Sequence, residues 1–296
     1  MNFFLKQTYG FLLMMYGKIF GIDAAKKFDT SFRFHRNLDL KHPKSLADKV
    51  TYLELHEQSP LASQCTDKYA VRDYIVDKGL KDILIPLVGG PWNKPEEVNF
   101  ELLPQSYVIK ATHGCKMNYI VPDKGQLDEK KCRKEIQSWL NVTYGTYSME
   151  PHYLEIPHRL YAEEYLHNSD ELIDYKFHCL NGVPQFVLVC SGRKLAKTGK
   201  MAVTLDLFDM DWNAIPGVCG SGKEVPGDGK VPKPFYFTEM KEIARELSED
   251  FAFVRVDLYE YEGKVCFGEL TFSPACCVFP YFTEKFLDEM GEKLEL

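Results

Sequence analysis

Two tight turns constrain the fold of this chain most strongly. Asn181-Gly182 separates two strand-like segments, residues 174–180 and 185–190, and Asn-Gly is the strongest short sequence signal for a β-hairpin. Glu262-Gly263 separates a second pair of strand-like segments within residues 253–270. Hairpins join antiparallel strands, so part of the chain must form antiparallel sheet. Helical patterns elsewhere place the chain in the α+β class.

The remaining elements follow from hydrophobic periodicity and from turn residues. The sequence predicts helices over residues 46–56, 67–78, 128–139 and 238–247. It predicts further strands over residues 83–88, 107–111, 119–121, 160–166 and 201–207. Gly89-Gly90-Pro91 is predicted to end the first of these strands. Residues 217–234, rich in Gly, Pro and Lys, are predicted to be either a lid over a substrate or a disordered surface loop.

Composition excludes several classes of function. The net charge of −7 argues against a general nucleic-acid binder, which needs basic surface to displace counterions from phosphates. The nine cysteines show no C-x-x-C pair and no metal-ligand spacing, so we expect reduced thiols, a cytoplasmic protein and no zinc site. The dinucleotide-binding G-x-G-x-x-G and the phosphate-binding G-x-x-x-x-G-K-[ST] are both absent.

The first 22 residues are apolar and aromatic but are interrupted by Lys6 and Lys18. The longest uncharged run, residues 7–17, is too short to span a bilayer. An amphipathic helix is predicted. It either packs on the body of the protein or lies on a membrane surface, which would make the protein peripheral on the inner face of the membrane.

One hairpin carries a group of polar side chains in an otherwise apolar sheet. Because side chains alternate along a strand, Arg255 and Asp257 share a face, as do Glu269 and Thr271 on the next strand. Two carboxylates there are costly unless a cation balances them. Mg²⁺ prefers oxygen ligands and binds together with phosphates, so the pattern suggests either a Mg²⁺ site or a structural salt-bridge cluster.

Two lysines stand where a phosphate could reach them. Lys110 ends an apolar strand just before the glycine-containing loop 112–118, whose amides could cradle an anion. Asp67-Lys68 is predicted to open a helix, where a cation opposes the helix dipole unless an anion approaches. Each lysine is alternatively a solvated surface residue.

Further candidate residues lie between the two sheets' motifs. The strand 160–166 leads into a short hinge before the acidic segment Ser169-Asp170-Glu171. The backbone of the hinge could pair with an adenine edge and a carboxylate could take ribose hydroxyls; the alternative is an ordinary edge strand. Lys176 and Arg193 fall in the central hairpin region. Each either contacts a phosphate or substrate carboxylate or forms surface charge pairs.

Taken in chain order, these motifs resemble those of the ATP-grasp superfamily, and their order is similar to that of D-alanine–D-alanine ligase. A closer resemblance is to the TupA-like branch, linked to teichuronopeptide and capsular polysaccharide synthesis. The motifs that carry it are Asp67-Lys68-Tyr69-Ala70-Val71-Arg72, residues 108–114, residues 174–182, Arg255-Val256-Asp257 and residues 268–274.

The resemblance implies a nucleotide site. By it, Lys68 and Lys110 hold ATP phosphates and Glu163 meets the adenine amino group. The backbone of Glu164 and Leu166 lies on the adenine edge, and Asp170 takes the ribose.

The resemblance also implies a Mg²⁺ site in which Asp257 and Glu269 are ligands. Thr271 stands where the family usually has Asn, which offers the metal a weaker hydroxyl oxygen. Arg255 would stabilise an acyl phosphate and its transition state.

The fold implied is ATP-grasp: two α+β lobes with antiparallel sheets that sandwich ATP, after a short helical N-terminal segment. We expect that segment at residues 1–65, the lobe with the phosphate-binding lysines at 66–165 and the lobe with the carboxylates at 166–296. The function implied is a carboxylate–amine ligase that joins a sugar acid to an amino acid or amine on a polysaccharide precursor. The alternatives are a glycosyltransferase of polysaccharide synthesis and a nucleotide-binding assembly protein without catalysis.

Overall fold

A computed structural model describes residues 3–57, 59–166, 172–195, 201–220 and 224–296. Two sheets organise this part of the chain, one with strand order β1-β4-β2-β3 and one with order β10-β9-β5-β6-β7-β8. The strands are β1 (Leu87–Trp92), β2 (Tyr107–Ala111), β3 (Asn118–Val121), β4 (Leu160–Glu164), β5 (Asp174–Leu180), β6 (Val183–Leu195), β7 (Met201–Phe208), β8 (Glu224–Pro226), β9 (Phe253–Tyr261) and β10 (Lys264–Thr271).

Helices pack on both sheets and form the N-terminal segment. The α-helices are α1 (Phe3–Phe20), α2 (Ile22–Phe34), α3 (Leu46–His56), α4 (Pro60–Thr66), α5 (Val71–Asp77), α6 (Glu129–Leu140), α7 (Tyr144–Ser148), α8 (Phe237–Ser248) and α9 (Glu284–Lys293). Short 3-10 helices lie at Lys81–Ile83, Pro95–Glu97, Phe100–Leu102, Lys124–Gln126, Pro151–Tyr153 and Pro274–Cys277.

Both predicted hairpins are confirmed. β5 and β6 pair across Asn181-Gly182, and β9 and β10 pair across Glu262-Gly263. β9 also pairs with β5 in antiparallel fashion, so the two hairpins lie side by side in the larger sheet. The α+β class follows directly from these pairings and the helices around them.

Three apolar clusters hold the sheets and helices together. One face of the larger sheet packs against α5 and α8, through residues such as Phe177 and Val256. Its other face packs against α3 and α9, where Phe186 and Phe286 meet. The smaller sheet packs against α6, whose Ile136 is fully buried.

Three sequence predictions were wrong in local detail. Gly89-Gly90-Pro91 does not end a strand, because β1 continues through it as an irregular edge strand, the place where proline is tolerated. The helix predicted over 67–78 is shorter, since Asp67 accepts hydrogen bonds from the amides of Tyr69 and Ala70 and holds a turn before α5. The predicted loop 217–234 contains β8, parallel to β7.

The N-terminal segment forms two helices whose outward side is apolar. Leu13 of α1 is buried against Ala25 and Met149. Other large apolar side chains of these helices are exposed, and we call them the N-terminal apolar face. They are Phe11, Leu12, Met14, Met15, Tyr16, Ile19, Phe20, Ile22, Phe28 and Phe32. Within the described ranges, no helix combines the length and the apolar content that crossing a bilayer requires.

We predict that Gly291→Ala destabilises the protein. A methyl group there would lie 2.1 Å from the carbonyl oxygen of Lys44 and 2.7 Å from the carbonyl carbon of Ser45, which is too close for any relaxed contact. Overpacking of this kind costs about 1–3 kcal/mol. That outweighs the helix-propensity gain of about 1 kcal/mol that alanine offers within α9.

Urea unfolding would measure the change. Gly220→Ala is the matched control, since its added methyl group meets its first neighbour at 3.7 Å, an ordinary contact. Equal stability of the two variants would contradict the close approach of α9 to residues 44 and 45.

Candidate active site

The polar side chains of the β9–β10 hairpin form two rows across three strands. Asp257 lies opposite Lys176 of β5 on one side and Glu269 of β10 on the other. Arg255, two residues away on the same face, lies opposite Thr271. The predicted neighbourhood of Asp257 and Glu269 is therefore present, and β5 adds a lysine to it.

A bulge sets the register of this hairpin. The β9–β10 pairing shifts between Phe267 and Glu269, and Gly268 lies in the shifted segment. A side chain at Gly268 would lie 2.9 Å from the carbonyl oxygen of Asp257 and 2.8 Å from the ring of Tyr259. Only glycine fits so close to the neighbouring strand, and the shift brings Glu269 opposite Asp257.

Three candidate ligand oxygens converge on one nitrogen of Arg255. Its Nη2 lies 2.7 Å from Oδ2 of Asp257, 2.9 Å from Oε1 of Glu269 and 3.0 Å from Oγ1 of Thr271. Its Nε also donates to Oδ1 of Asp257 at 2.6 Å. Arg255 and Asp257 are buried, so the arginine acts as the internal counter-ion of the carboxylates.

Two lysines from distant parts of the chain complete the cluster. Lys176 donates to Asp257 and lies 3.5 Å from Asp174. Lys68 donates from Nζ to Oε2 of Glu269 at 3.2 Å. Because the amide of Lys68 donates to the carbonyl of Thr112, beyond the end of β2, this residue connects the smaller sheet to the larger one.

The electrostatics favour the ionised forms of Glu269, Arg255 and Lys176. Burial opposes the charge of the Glu269 carboxyl, but attraction to Lys68, Arg255 and Lys176 outweighs it and holds its pKa well below the usual range. Burial likewise opposes the charges of Arg255 and Lys176, yet Asp257 raises the pKa of both groups. The site therefore holds the charged Glu269 carboxylate beside the charged Arg255 and Lys176 at neutral pH.

A second ionic network lies on the smaller sheet. Lys110 of β2 and Arg72 of α5 both donate to the carboxylate of Glu163, the latter at 3.2 Å. Arg72 also donates to the carbonyl of Ile85 at 2.9 Å. Lys110 and Glu163, which the sequence pointed to separately, are thus direct partners.

The other candidate residues are less involved in these networks. Glu164 ends β4 with an exposed side chain, and its amide donates to the carbonyl of Pro86. Leu166 lies two residues beyond β4. Asp170 lies outside the described residues, as does the side chain of Arg193 on β6.

Sequence reasoning missed two members of these networks, Arg72 and Asp174. Both stand inside the quoted motifs 67–72 and 174–182. Asp174 shares a face of β5 with Lys176, which alternation along the strand already indicates. Glu163, the partner of Arg72, could have been found only by knowing how distant elements pack together. Arg72 is 91 residues from Glu163 along the chain.

A buried polar cluster lies next to the hairpin, outside the two networks. Lys26 of α2 donates to Glu54 of α3 at 2.9 Å. Ser273, two residues after β10, donates to Glu150 and lies 3.4 Å from Nε2 of His152. Burial lowers the pKa of His152 to about 4. The nearby Glu54 carboxylate raises this pKa, and the Lys26 ammonium group lowers it. The cluster joins the N-terminal helices to the segment that follows Thr271.

These features together define the class of protein. The chain carries two largely antiparallel sheets with helices packed on them. Lys110 lies on the smaller sheet, and Lys176, Arg255, Asp257 and Glu269 lie on the larger one. The family model described as TupA-like ATPgrasp matches residues 48–295. The chain belongs to this TupA-like ATP-grasp family, which confirms both the resemblance and the fold class predicted from the sequence.

Solved structures are similar to this chain at low identity and with TM-scores below 0.5. D-alanine–D-alanine ligase from Helicobacter pylori is 13% identical with a TM-score of 0.44, covering 87% of this chain and 72% of that one. The corresponding enzyme from Bacillus anthracis is 14% identical with a TM-score of 0.43, covering 77% and 62%. N5-carboxyaminoimidazole synthase from Aspergillus clavatus is 11% identical with a TM-score of 0.41, covering 71% and 44%. The match spans 62% of the length of the Bacillus anthracis enzyme and 44% of that of the Aspergillus clavatus enzyme. The search of curated proteins found no match.

We predict that His113, in the loop after β2, makes stability depend on pH. Burial and the stacked ring of His158 lower its pKa from 6.5 to about 4. Between these values the native ring is neutral while the unfolded one is charged. The unfolded state therefore binds the extra proton, and stability rises with pH by about 1.4 kcal/mol per pH unit for this one group.

In the variant His113→Gln, stability should depend less steeply on pH, because the titrating ring is gone. The glutamine amide can still donate to the Trp139 carbonyl that Nε2 of His113 contacts. Urea unfolding of both proteins between pH 4.5 and 7.5 measures it. Identical slopes would show that His113 is not buried in its neutral form.

Proposed function

We propose that the chain is an ATP- and Mg²⁺-dependent carboxylate–amine ligase that works through an acyl phosphate. The observation that carries the proposal is the convergence of the Asp257, Glu269 and Thr271 oxygens on Arg255, with Lys68 and Lys176 at the same carboxylates. Neutralising a transferred phosphoryl group is mainly a matter of such positioned charges.

The donor set suits Mg²⁺. Asp257, Glu269 and Thr271 offer only oxygen, the atom that this hard cation prefers, and their oxygens already surround one positively charged group. These residues would hold the metal. When bound, Mg²⁺ would neutralise charge on the ATP phosphates.

Lys68 and Lys110 are the proposed phosphate contacts. Each now pairs with a carboxylate, Glu269 and Glu163 respectively, so each ammonium group is already held in a fixed position. We further propose that the adenosine contacts come from Glu163, from the backbone of Glu164 and Leu166, and from Asp170.

The chemistry proceeds in two steps. An oxygen of the substrate carboxylate attacks the γ-phosphorus of ATP, the bond to the ADP oxygen breaks, and an acyl phosphate forms. An amine then attacks the acyl carbon, loses a proton and expels phosphate, which leaves an amide. Arg255 would stabilise the charge on the transferred phosphoryl group, while Lys176 and Arg193 would orient the substrate carboxylate.

We propose a sugar acid as the carboxylate donor and an amino acid or amine as the acceptor, on a precursor of a cell-surface polysaccharide. The family's link to capsule and teichuronopeptide synthesis supports this class. ATP as co-substrate would place the reaction in the cytoplasm. Lysines on two separate elements favour a triphosphate over the nucleotide sugar that a glycosyltransferase would use.

We predict that the protein binds a non-hydrolysable ATP analogue with Mg²⁺, and that Lys68→Ala, Lys110→Ala weakens binding roughly a hundredfold. Each charge-assisted hydrogen bond contributes about 1.5–3 kcal/mol, at least tenfold in affinity. Isothermal calorimetry would measure it. Lys230→Ala, Lys285→Ala is the control, since both ammonium groups are largely exposed. Equal affinity of both double variants would remove the basis for the nucleotide site.

We predict that Glu269→Ala abolishes turnover while Thr271→Asn preserves or raises it. The first change removes a charged ligand, whereas the second replaces a hydroxyl oxygen by an amide oxygen, a stronger ligand for a hard cation. Phosphate release would be measured with ATP, a panel of sugar acids and amino acids, and a range of Mg²⁺ concentrations.

The same assay tests the reaction class. Release of ADP and phosphate should require both a carboxylate and an amine, and one amide should form per ATP. Near-normal turnover by Glu269→Ala would disprove the metal assignment. Transfer of a sugar without ATP consumption would replace the ligase by a glycosyltransferase.

A further inference from the structure

The N-terminal apolar face is a continuous surface that spans two helices. Tyr16 of α1 contacts Phe28 of α2 with ring centroids 5.6 Å apart, and Phe28 stacks on Phe32 at 6.0 Å. Tyr16 also contacts Phe20 at 4.6 Å. The rings form one row, and Phe20 and Phe32 remain 62% and 64% exposed. Contiguous apolar surface of this kind marks an interaction site.

The charge around this face is opposite to that of the protein as a whole. Residues 3–34 carry five basic and two acidic side chains, in a chain of net charge −7. Both acidic side chains are engaged, Asp23 with His56 at 2.8 Å and Asp29 with Arg33. Lys26 is buried and paired with Glu54, so the described cations at the surface are the exposed Lys18 and the half-buried Lys27. Lys18 is exposed among the apolar residues of α1. The surface is therefore apolar and cationic together.

An apolar groove opens beside it. The groove has a volume of about 280 Å³ and lies between α1 and the region of α7. Met14, Ile22, Met149 and Leu154 line it, and Lys18 also borders it. Its shape and lining suit a hydrocarbon chain whose anionic head group lies at a lysine.

We propose that the N-terminal apolar face docks on the surface of a bilayer that contains anionic phospholipid. Exposed aromatic and aliphatic side chains would enter the boundary between head groups and acyl chains, and the lysines would contact lipid phosphates. A second copy of the chain is a poorer partner, because two faces with the same positive charge would meet. The inference is independent of the proposed ligase activity.

Vesicle co-sedimentation at low ionic strength tests the proposal. The probes are vesicles of 30% phosphatidylglycerol in phosphatidylcholine and vesicles of phosphatidylcholine alone. The intact chain should sediment with the first and only weakly with the second. Ile19→Glu, Phe32→Glu places one charge on each helix, at side chains 70% and 64% exposed, and should weaken binding by about tenfold or more.

Leu102→Glu, Phe235→Glu is the matched control. Both side chains lie outside the face and are 81% and 85% exposed, so this variant should bind vesicles as the unaltered chain does. Lys18→Gln should weaken binding to the anionic vesicles about fivefold, the contribution of one lysine near an anionic surface. Thermal unfolding confirms that each variant is folded.

Three outcomes would overturn the proposal. One is no sedimentation of the intact chain with anionic vesicles. Another is equal binding by the two double-glutamate variants. The third is a dimer in gel filtration that Ile19→Glu, Phe32→Glu dissociates while vesicles are not bound, which would show that a second copy covers the face.

Discussion

The buried guanidinium of Arg255 is the interaction on which the site depends. It contacts carboxylates on β9 and β10, so two negative charges that lie opposite each other in the sheet share its single positive charge, and Lys176 and Lys68 supply the rest. Removing one partner of a buried ion pair leaves an uncompensated charge, which costs several kcal/mol. This balance of charge depends on the strand register and on the bulge at Gly268, which place Asp257 opposite Glu269. It also depends on Lys68, which reaches Glu269 from its position beside the smaller sheet.

Local sequence rules predicted the elements that local forces determine. The helix over residues 46–56 was predicted with its observed bounds from its apolar stripe. In the structure Ser45 and Asp48 form a capping box at its start. The strand 107–111 and both hairpins were equally clear. The prediction at Gly89-Gly90-Pro91 was wrong because glycine and proline occur both where a strand ends and in irregular edge strands. β8 was missed because its pairing with β7 depends on tertiary context.

The candidate site likewise contains contacts that local sequence patterns predict and contacts that they do not. Alternation along a strand was enough to place Arg255 with Asp257 and Glu269 with Thr271, and a turn at Gly263 was enough to bring the pairs together. Lys68 meets Glu269 across 201 residues of chain, a contact that no local pattern contains. Local patterns did not group the scattered lysines and carboxylates; the resemblance to a family did, and it is the source of the proposed nucleotide site.

The bridge made by Lys68 has a consequence for how ligands enter. Its ammonium group is already desolvated and held against Glu269 while its backbone is fixed to the smaller sheet. An anion that arrives between the sheets therefore does not have to strip water from a free lysine. If the proposed nucleotide site is correct, the anion would enter by exchange of counter-ions: it would pair with Lys68, and the Glu269 carboxylate would become available to a metal. The charged side chains are already paired in the folded protein, so a bound anion would change only which groups pair with each other.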